Sequence, residues 1–209
     1  MCAQDNALIV VGAGLAGCEA AWQAAQAGLN VILYEMKPRR FSPAHESADL
    51  AELVCSNSLR ASRVDSAVGL LKEEMRLLGS LVMQAADATA LPAGAALAVD
   101  RSHFAAYITE KISTHPLIQV CREEVQHIPA GTFTSPVIIA AGPLATEALT
   151  AELASITGAQ HLSFYDAIAP ILDAESLDMN IIYRKSRWDD EGPGDYLNCP
   201  LTKEQYEAF

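Results

Sequence analysis

Apolar and polar positions alternate along this chain in rhythms that switch between strand and helix. Leu8 to Val11 is an unbroken apolar run. It has the length of a buried parallel strand and is too short for a helix. Behind it Leu15, Cys18, Trp22, Ala25 and Leu29 recur at three- and four-residue spacing. That stripe predicts a helix with Glu19, Gln23 and Gln26 on its wet side. Gly28 is placed to end it in a left-handed cap, and Val31 to Glu35 reads as the second strand of a β-α-β unit. Apolar residues at 68, 71, 75 and 78, with Lys72, Glu73, Glu74 and Arg76 between them, predict an amphipathic helix over 68–78 with a solvated charged face. Leu91 to Asp100 is apolar and rich in small residues. Asp100 and Arg101 then open a helix through Phe104, Ile108 and Ile112 that Pro116 stops. Residues 118–128 alternate as one or two strands. Val137 to Gly142 is a further fully apolar strand, and Thr146 to Ile156 a helix with Gly158 near its end. Strands alternating with helices predict an α/β fold, a Rossmann-like doubly wound parallel sheet.

From Ser163 the pattern becomes mixed, with short strands and turns in FYDAIAP, IIYRKSRW and DDEGPGDYLNCP. The expected organisation is therefore a Rossmann-type domain over 1–160 and the start of a smaller α+β insertion domain over 161–209. Thr202 and Gln205 have the spacing of a capping box opening a last helix. Arg184, Lys185 and Arg187 with Tyr183 and Trp188 form a basic–aromatic cluster. Such a cluster suits RNA, or equally an edge strand blunted by charge. Doubly wound flavoproteins return a late segment to the first sheet, and nothing here supplies one. The chain accordingly reads as the N-terminal part of a longer protein.

Chemistry enters at the turn after the first strand. Gly12, Gly14 and Gly17 stand in G-x-G-x-x-G spacing. The three serve a tight turn, a close approach of backbone to a pyrophosphate, and helix–strand packing. The phosphates would rest on free N–H groups at the positive end of the helix. Glu35 lies 18 residues past Gly17, where such folds hold the carboxylate that binds ribose hydroxyls. Ala141 and Gly142 end the far strand, where backbone passes close to a cofactor. A second informative stretch, AELVCSNSLRASR at 51–63, is turn-rich around Cys55. There a thiol is either accessible, with Arg60 and Arg63 favouring its thiolate, or buried and inert. Lys37, Arg39 and Arg40 face a phosphate or are solvated loop charges; His45 reads as a loop histidine.

Composition narrows the class. The chain has 209 residues, 51% of them hydrophobic, and a mean hydropathy of +0.16, enough for a real core. Met1 to Asn6 carries Asp5 and no basic residue, so a secretory signal is not expected. No apolar run approaches the roughly 18–20 residues of a membrane span. Five cysteines are widely spaced and form no C-x-x-C pair. A cytoplasmic protein with reduced thiols and no metal site is expected. The net charge of −12 argues against a broad nucleic-acid face and leaves room for a local patch.

Several stretches together resemble one family, the folate- and FAD-dependent tRNA (uracil-C5)-methyltransferases. They are VVGAGLAGCEAAWQAA at 10–25, YEMKP at 34–38, SPAH at 42–45, ELVCSNSLR at 52–60 and LLKEEMRLL at 70–78. PAGAALAVDR at 92–101, SFYDAIAPI at 163–171, SLDMN at 176–180 and YLNCPLTKEQYEAF at 196–209 continue the match. The resemblance implies methylation of a T-loop uridine in tRNA, with methylenetetrahydrofolate as carbon donor, reduced FAD as reductant and NAD(P)H as electron source. It implies that Gly12, Ala13, Gly14, Leu15, Ala16 and Gly17 hold the FAD pyrophosphate, Glu35 the ribose, and that Ala141 and Gly142 contact the cofactor. Cys55 would be the catalytic cysteine, either acid/base or thiolate partner of the uracil ring. Cys199 sits in a family motif with a structural role expected. Family members look about twice this length. A general FAD-dependent oxidoreductase and a non-catalytic remnant are the rival readings.

Overall fold

The computed structural model describes residues 6–158, 172–185 and 194–208. A central sheet is made of β1 (Leu8–Val11), β2 (Val31–Tyr34), β6 (Ile118–Cys121) and β7 (Val137–Ile139). Its order is β6-β2-β1-β7 and every pair is parallel. The crossovers carry α1 (Leu15–Gln26) and α4 (Arg101–Thr114), which pack on these strands and on each other. Alternation within each strand sorts the side chains to two faces. Val10, Val31, Leu33 and Ile118 join Cys18, Ala21, Ala25, Phe104, Ile108 and Ile112 in the main core. Ala7, Ile32 and Cys121, with Tyr34, form a smaller cluster apart from it. The α/β reading and its parallel sheet are thus present. β7 is a three-residue edge strand, shorter than the run 137–142 suggests, and Ile138 on it is exposed.

The connection from β2 to β6 holds a small subdomain that the hydrophobic rhythm does not announce. β3 (Ser58–Ala61), β4 (Ala90–Leu91) and β5 (Ala96–Val99) form an antiparallel sheet in the order β3-β5-β4. It is flanked by α2 (Ala67–Leu77) and α3 (Leu81–Ala88). α3 is eight residues long and buried on most sides, so it shows no polar face to read. Register shifts between Ser58 and Ala61, and there Arg60 takes φ +67°.

α2 corrects the reading of its amphipathic face. Lys72 is buried at 6% exposure, while Leu77 and Leu78 are 81% and 74% exposed and Leu70 and Leu71 also lie open. The cause is Gly69: a Cβ there would stand 1.8 Å from the Arg63 carbonyl oxygen. That close approach turns the Gly69–Lys72 side inward, where Lys72 Nζ donates to the Ala61 and Val68 carbonyls at 3.0 and 3.3 Å.

Glu19 is a second correction. It does not face solvent: Oε2 accepts from Ser80 Oγ at 2.8 Å and from Val82 N at 2.9 Å, tying α1 to the first turn of α3. Leu29 falls beyond the end of α1 and is exposed, and Gly28 closes that end at φ +86°. α5 (Glu147–Thr157) follows β7 with Thr146 as its N-cap and Gly158 left-handed at its end. Towards the C-terminus β8 (Tyr183–Arg184) pairs antiparallel with β9 (Leu197–Asn198). α6 (Lys203–Ala208) opens on the expected capping box, Thr202 N to Gln205 Oε1 at 2.9 Å and Gln205 N to Thr202 Oγ1 at 3.2 Å. FYDAIAP, Arg187 and Trp188 lie outside the described residues.

Glu19→Ala removes an acceptor shared by a hydroxyl and a helix-terminal amide. The expected loss is about 2 kcal/mol of folding stability, less for Glu19→Gln. Urea unfolding with an unchanged slope would register it.

Candidate functional site

The turn from β1 into α1 is built on two backbone contacts that only glycine allows. Gly12 has φ +99°, and a Cβ on it would stand 2.6 Å from Ala140 O and Ala141 Cα. A Cβ on Gly17 would stand 1.8 Å from Gly12 O. Gly14 differs from both: it is exposed and nothing lies within 4 Å of where its Cβ would be. It is the N-cap of α1, with no side-chain cap and no acid in the first turn. The first-turn amides have no acceptor within the helix and carry its positive end. An open cradle of this kind fits the pyrophosphate of a dinucleotide.

Glu35, just past β2, is buried beside it. Its Oε2 accepts from Ala13 N at 3.1 Å and its Oε1 from Lys37 N at 3.0 Å. A carboxylate offers about four lone-pair sites, so acceptor capacity is left for hydroxyl groups. Gly12, Ala13, Gly14, Glu35 and Ala141 line one cavity, together with His45, Glu52 and, from the start of α5, Thr146 and Leu149. Its enclosed part holds ≈ 90 Å³. A whole dinucleotide is larger than that enclosed volume. Leu15, Ala16, Gly17 and Gly142 stand outside this lining. Leu15 packs on the core, Ala16 is exposed, Gly17 is buried against Gly12, and Gly142 is exposed at φ +69°.

Sequence reasoning missed the ion pairs at the cavity wall. Lys37 is buried, and its Nζ donates to Asp49 O at 2.6 Å and Glu52 Oε2 at 3.0 Å. Arg40 pairs with Glu124 at 2.6 Å. Both cations thus have carboxylate partners, because acids distant in sequence meet them in the fold. Burial pushes the Glu52 carboxyl up, but the Glu46 and Ser47 amides and Lys37 outweigh it and hold it below its ordinary value. His45 Nδ1 lies 2.6 Å from Ser42 Oγ. Burial, then the Lys37 charge, holds its imidazole below its ordinary value.

Cys55 is exposed in the turn before β3, which removes the buried, inert alternative. The structure does not bring it into the cavity lined by Gly14 and Glu35. The turn is pinned by Asn57, whose O accepts from Val99 N at 2.9 Å and whose Nδ2 donates to Val99 O at 3.2 Å. Arg63 is held by Asp65 through Nε at 3.0 Å. Its charge is thereby shared with a carboxylate. Cys18 is buried, its Sγ donating to Ala13 O at 3.3 Å, and burial with Glu35 pushes its thiol up to about 12. Cys199 is exposed and free. Cys121 is disulfide-bonded, so reduced thiols throughout is an expectation the structure does not meet.

Residues 7–209 match the family described as GIDA, glucose inhibited division protein A. The chain belongs to that family. Among similar proteins, "Methylenetetrahydrofolate--tRNA-(uracil-5-)-methyltransferase TrmFO" of Syntrophotalea carbinolica is 58% identical over 207 residues, 99% of this chain and 44% of the relative. The protein of the same name in Geobacter sulfurreducens is 57% identical over 98% of this chain and 46% of its own length. That of Bacillus licheniformis is 56% identical over 96% and 45%. The chain thus spans less than half the length of these curated relatives. The solved structure of Aquifex aeolicus GidA in its form I crystal shares the fold, with a TM-score of 0.51 at 18% identity over 66% of this chain and 25% of that one. No helix among the described residues is long and apolar enough to cross a membrane.

Two outcomes test this geometry. Gly17→Ala is expected to lose about 3 kcal/mol or more, since backbone must move, whereas Gly14→Ala, with open space for its methyl, loses at most the ~1 kcal/mol of a poorer N-cap. The depressed His45 value means the unfolded chain takes up its proton first. Stability is full above the ordinary value of 6.5 and falls as pH drops through the lowered folded one. Urea midpoints between about pH 7 and 5 should decline, and His45→Gln should flatten that decline.

Proposed function

We infer that this chain is the FAD-binding part of a cytoplasmic, folate-dependent tRNA (uracil-5-)-methyltransferase. The observation that carries the reading is the open, uncapped start of α1 at Gly14, facing the buried carboxylate of Glu35. The names of the relatives supply the reaction. Residues 1–160 form the FAD-binding Rossmann-type domain and 161–209 begin an insertion domain. Bound FAD, recharged by NAD(P)H, supplies the hydride that completes a methyl group from the carbon of methylenetetrahydrofolate.

This chain's residues position and protect. Amides from Ala13 to Gly17 hold the pyrophosphate, Glu35 accepts from ribose hydroxyls, and Ala141 with Gly142 borders the cofactor on the far strand. Gly14 must stay bare, because any side chain there would fill the cradle. Cys55 acts on the uracil ring, either adding as thiolate at C6 or moving the proton at C5. Its exposure supports this role, since a base entering from RNA must reach it.

The test is a visible spectrum of the purified protein, with a methylation assay on tRNA using methylenetetrahydrofolate and NADPH. A yellow protein is expected, with Gly14→Val colourless but folded. Cys55→Ala is expected to keep the flavin spectrum and lose 5-methyluridine formation by at least about a hundredfold. Flavin turnover with no dependence on tRNA would support a general oxidoreductase instead, and a colourless wild-type protein a non-catalytic remnant.

A further inference from the structure

A second cavity lies between β3 and the β8–β9 hairpin, with a volume of ≈ 510 Å³. Ser58, Arg60, Ala95, Lys185, Tyr196 and Asn198 line it. This is the size range of small-molecule and nucleotide pockets, roughly 300–1,000 Å³.

Three observations give it a chemical character. Arg60 sits at the register shift of β3 with φ +67°, a left-handed conformation that arginine adopts only at a cost. Its exposed guanidinium has no hydrogen bond or ion pair among the described residues, in a chain of net charge −12 where carboxylates abound. The neighbouring cation, Lys72, is buried behind β3 and among the described residues its acceptors are the carbonyls of Ala61 and Val68, with no carboxylate. Burial first, then Arg76 and Arg60, lowers its pKa, which registers the positive field on this strand. Across the cavity Tyr196 is fixed by its hydroxyl, which donates to Ala93 O at 3.1 Å. Asn198 Nδ2 donates to Lys185 O at 3.0 Å, which leaves Oδ1 as an acceptor.

We propose that this cavity is a phosphate-binding site for an RNA strand, with Arg60 as its anchor and Tyr196 as the surface on which a base rests. An unpaired guanidinium recognises a phosphate by a forked pair of hydrogen bonds. A tyrosine beside it suits an unstacked base of a loop. A duplex needs a spread basic face, which a chain of net charge −12 does not offer. The choice of RNA as the phosphate source rests on the function inferred above. Binding is read without flavin or methyl transfer, so either reading can fail alone.

The experiment is fluorescence anisotropy of the purified chain with 5′-fluorescein decauridylate, at several salt concentrations. Wild type is expected to bind. Arg60→Gln should bind about tenfold more weakly, with a salt slope shallower by about one. Arg60→Gly should lose as much while its Tm stays equal or rises, because glycine relieves φ +67° at that position. Arg60→Lys, which keeps the charge and loses the fork, should fall between and guards against misfolding of the others. Wild-type affinity in Arg60→Gln, or no binding by wild type, would overturn the site. Displacement of the probe by a triglutamate peptide but not by inorganic pyrophosphate would assign it to carboxylates, and RNA would then be wrong.

Discussion

The structure depends on a contact between two pieces of backbone. The carbonyl of Gly12 lies so close to Gly17 that a single methyl group there would overlap it at 1.8 Å. That contact seats α1 directly on the loop leaving β1, while Gly12 in turn is pressed against Ala140 and Ala141 at the end of β7. Strand, helix and far strand are thereby held in close backbone contact. Core packing then follows, with Cys18, Ala21 and Ala25 small enough to let α1 lie flat on Val10 and Leu33. Once this seating is set, Gly14 at the start of α1 and the carboxylate of Glu35 line one cavity.

The same contact explains what could be read from the sequence. Spacing alone picked out Gly12 and Gly17, because close backbone contacts demand glycine at both. β1, α1, β2 and α4 were equally legible, since each has a strong period or a clean apolar run. The failures share a cause. Lys72 and Glu19 look like solvent-facing charges, yet each satisfies backbone groups distant in sequence: Lys72 on β3 and Glu19 at the start of α3. Local periodicity carries no record of such partners. The antiparallel sheet of β3, β4 and β5 escaped for a related reason, its strands being short and rich in alanine and serine.

Two regions of different character emerge. Around Gly14 the protein offers amides, a helix end and a buried carboxylate that accepts from the backbone amides of Ala13 and Lys37. Along β3 it offers a strained arginine and a lysine buried against backbone carbonyls. The first region owes its shape to the absence of side chains, the second to side chains held at a cost. Cys55 stands in the turn that leads into that strand, anchored through Asn57 to β5.

The inverted helix α2 has a consequence for how the molecule behaves in solution. Turning Lys72 inward leaves Leu70, Leu71, Leu77 and Leu78 on the outside, a greasy stripe on a small acidic particle. Colloidal repulsion from twelve excess negative charges is what keeps such stripes apart. As acid brings the medium towards the isoelectric point near 4.7 that repulsion falls away, and exposed leucines of this kind then favour association.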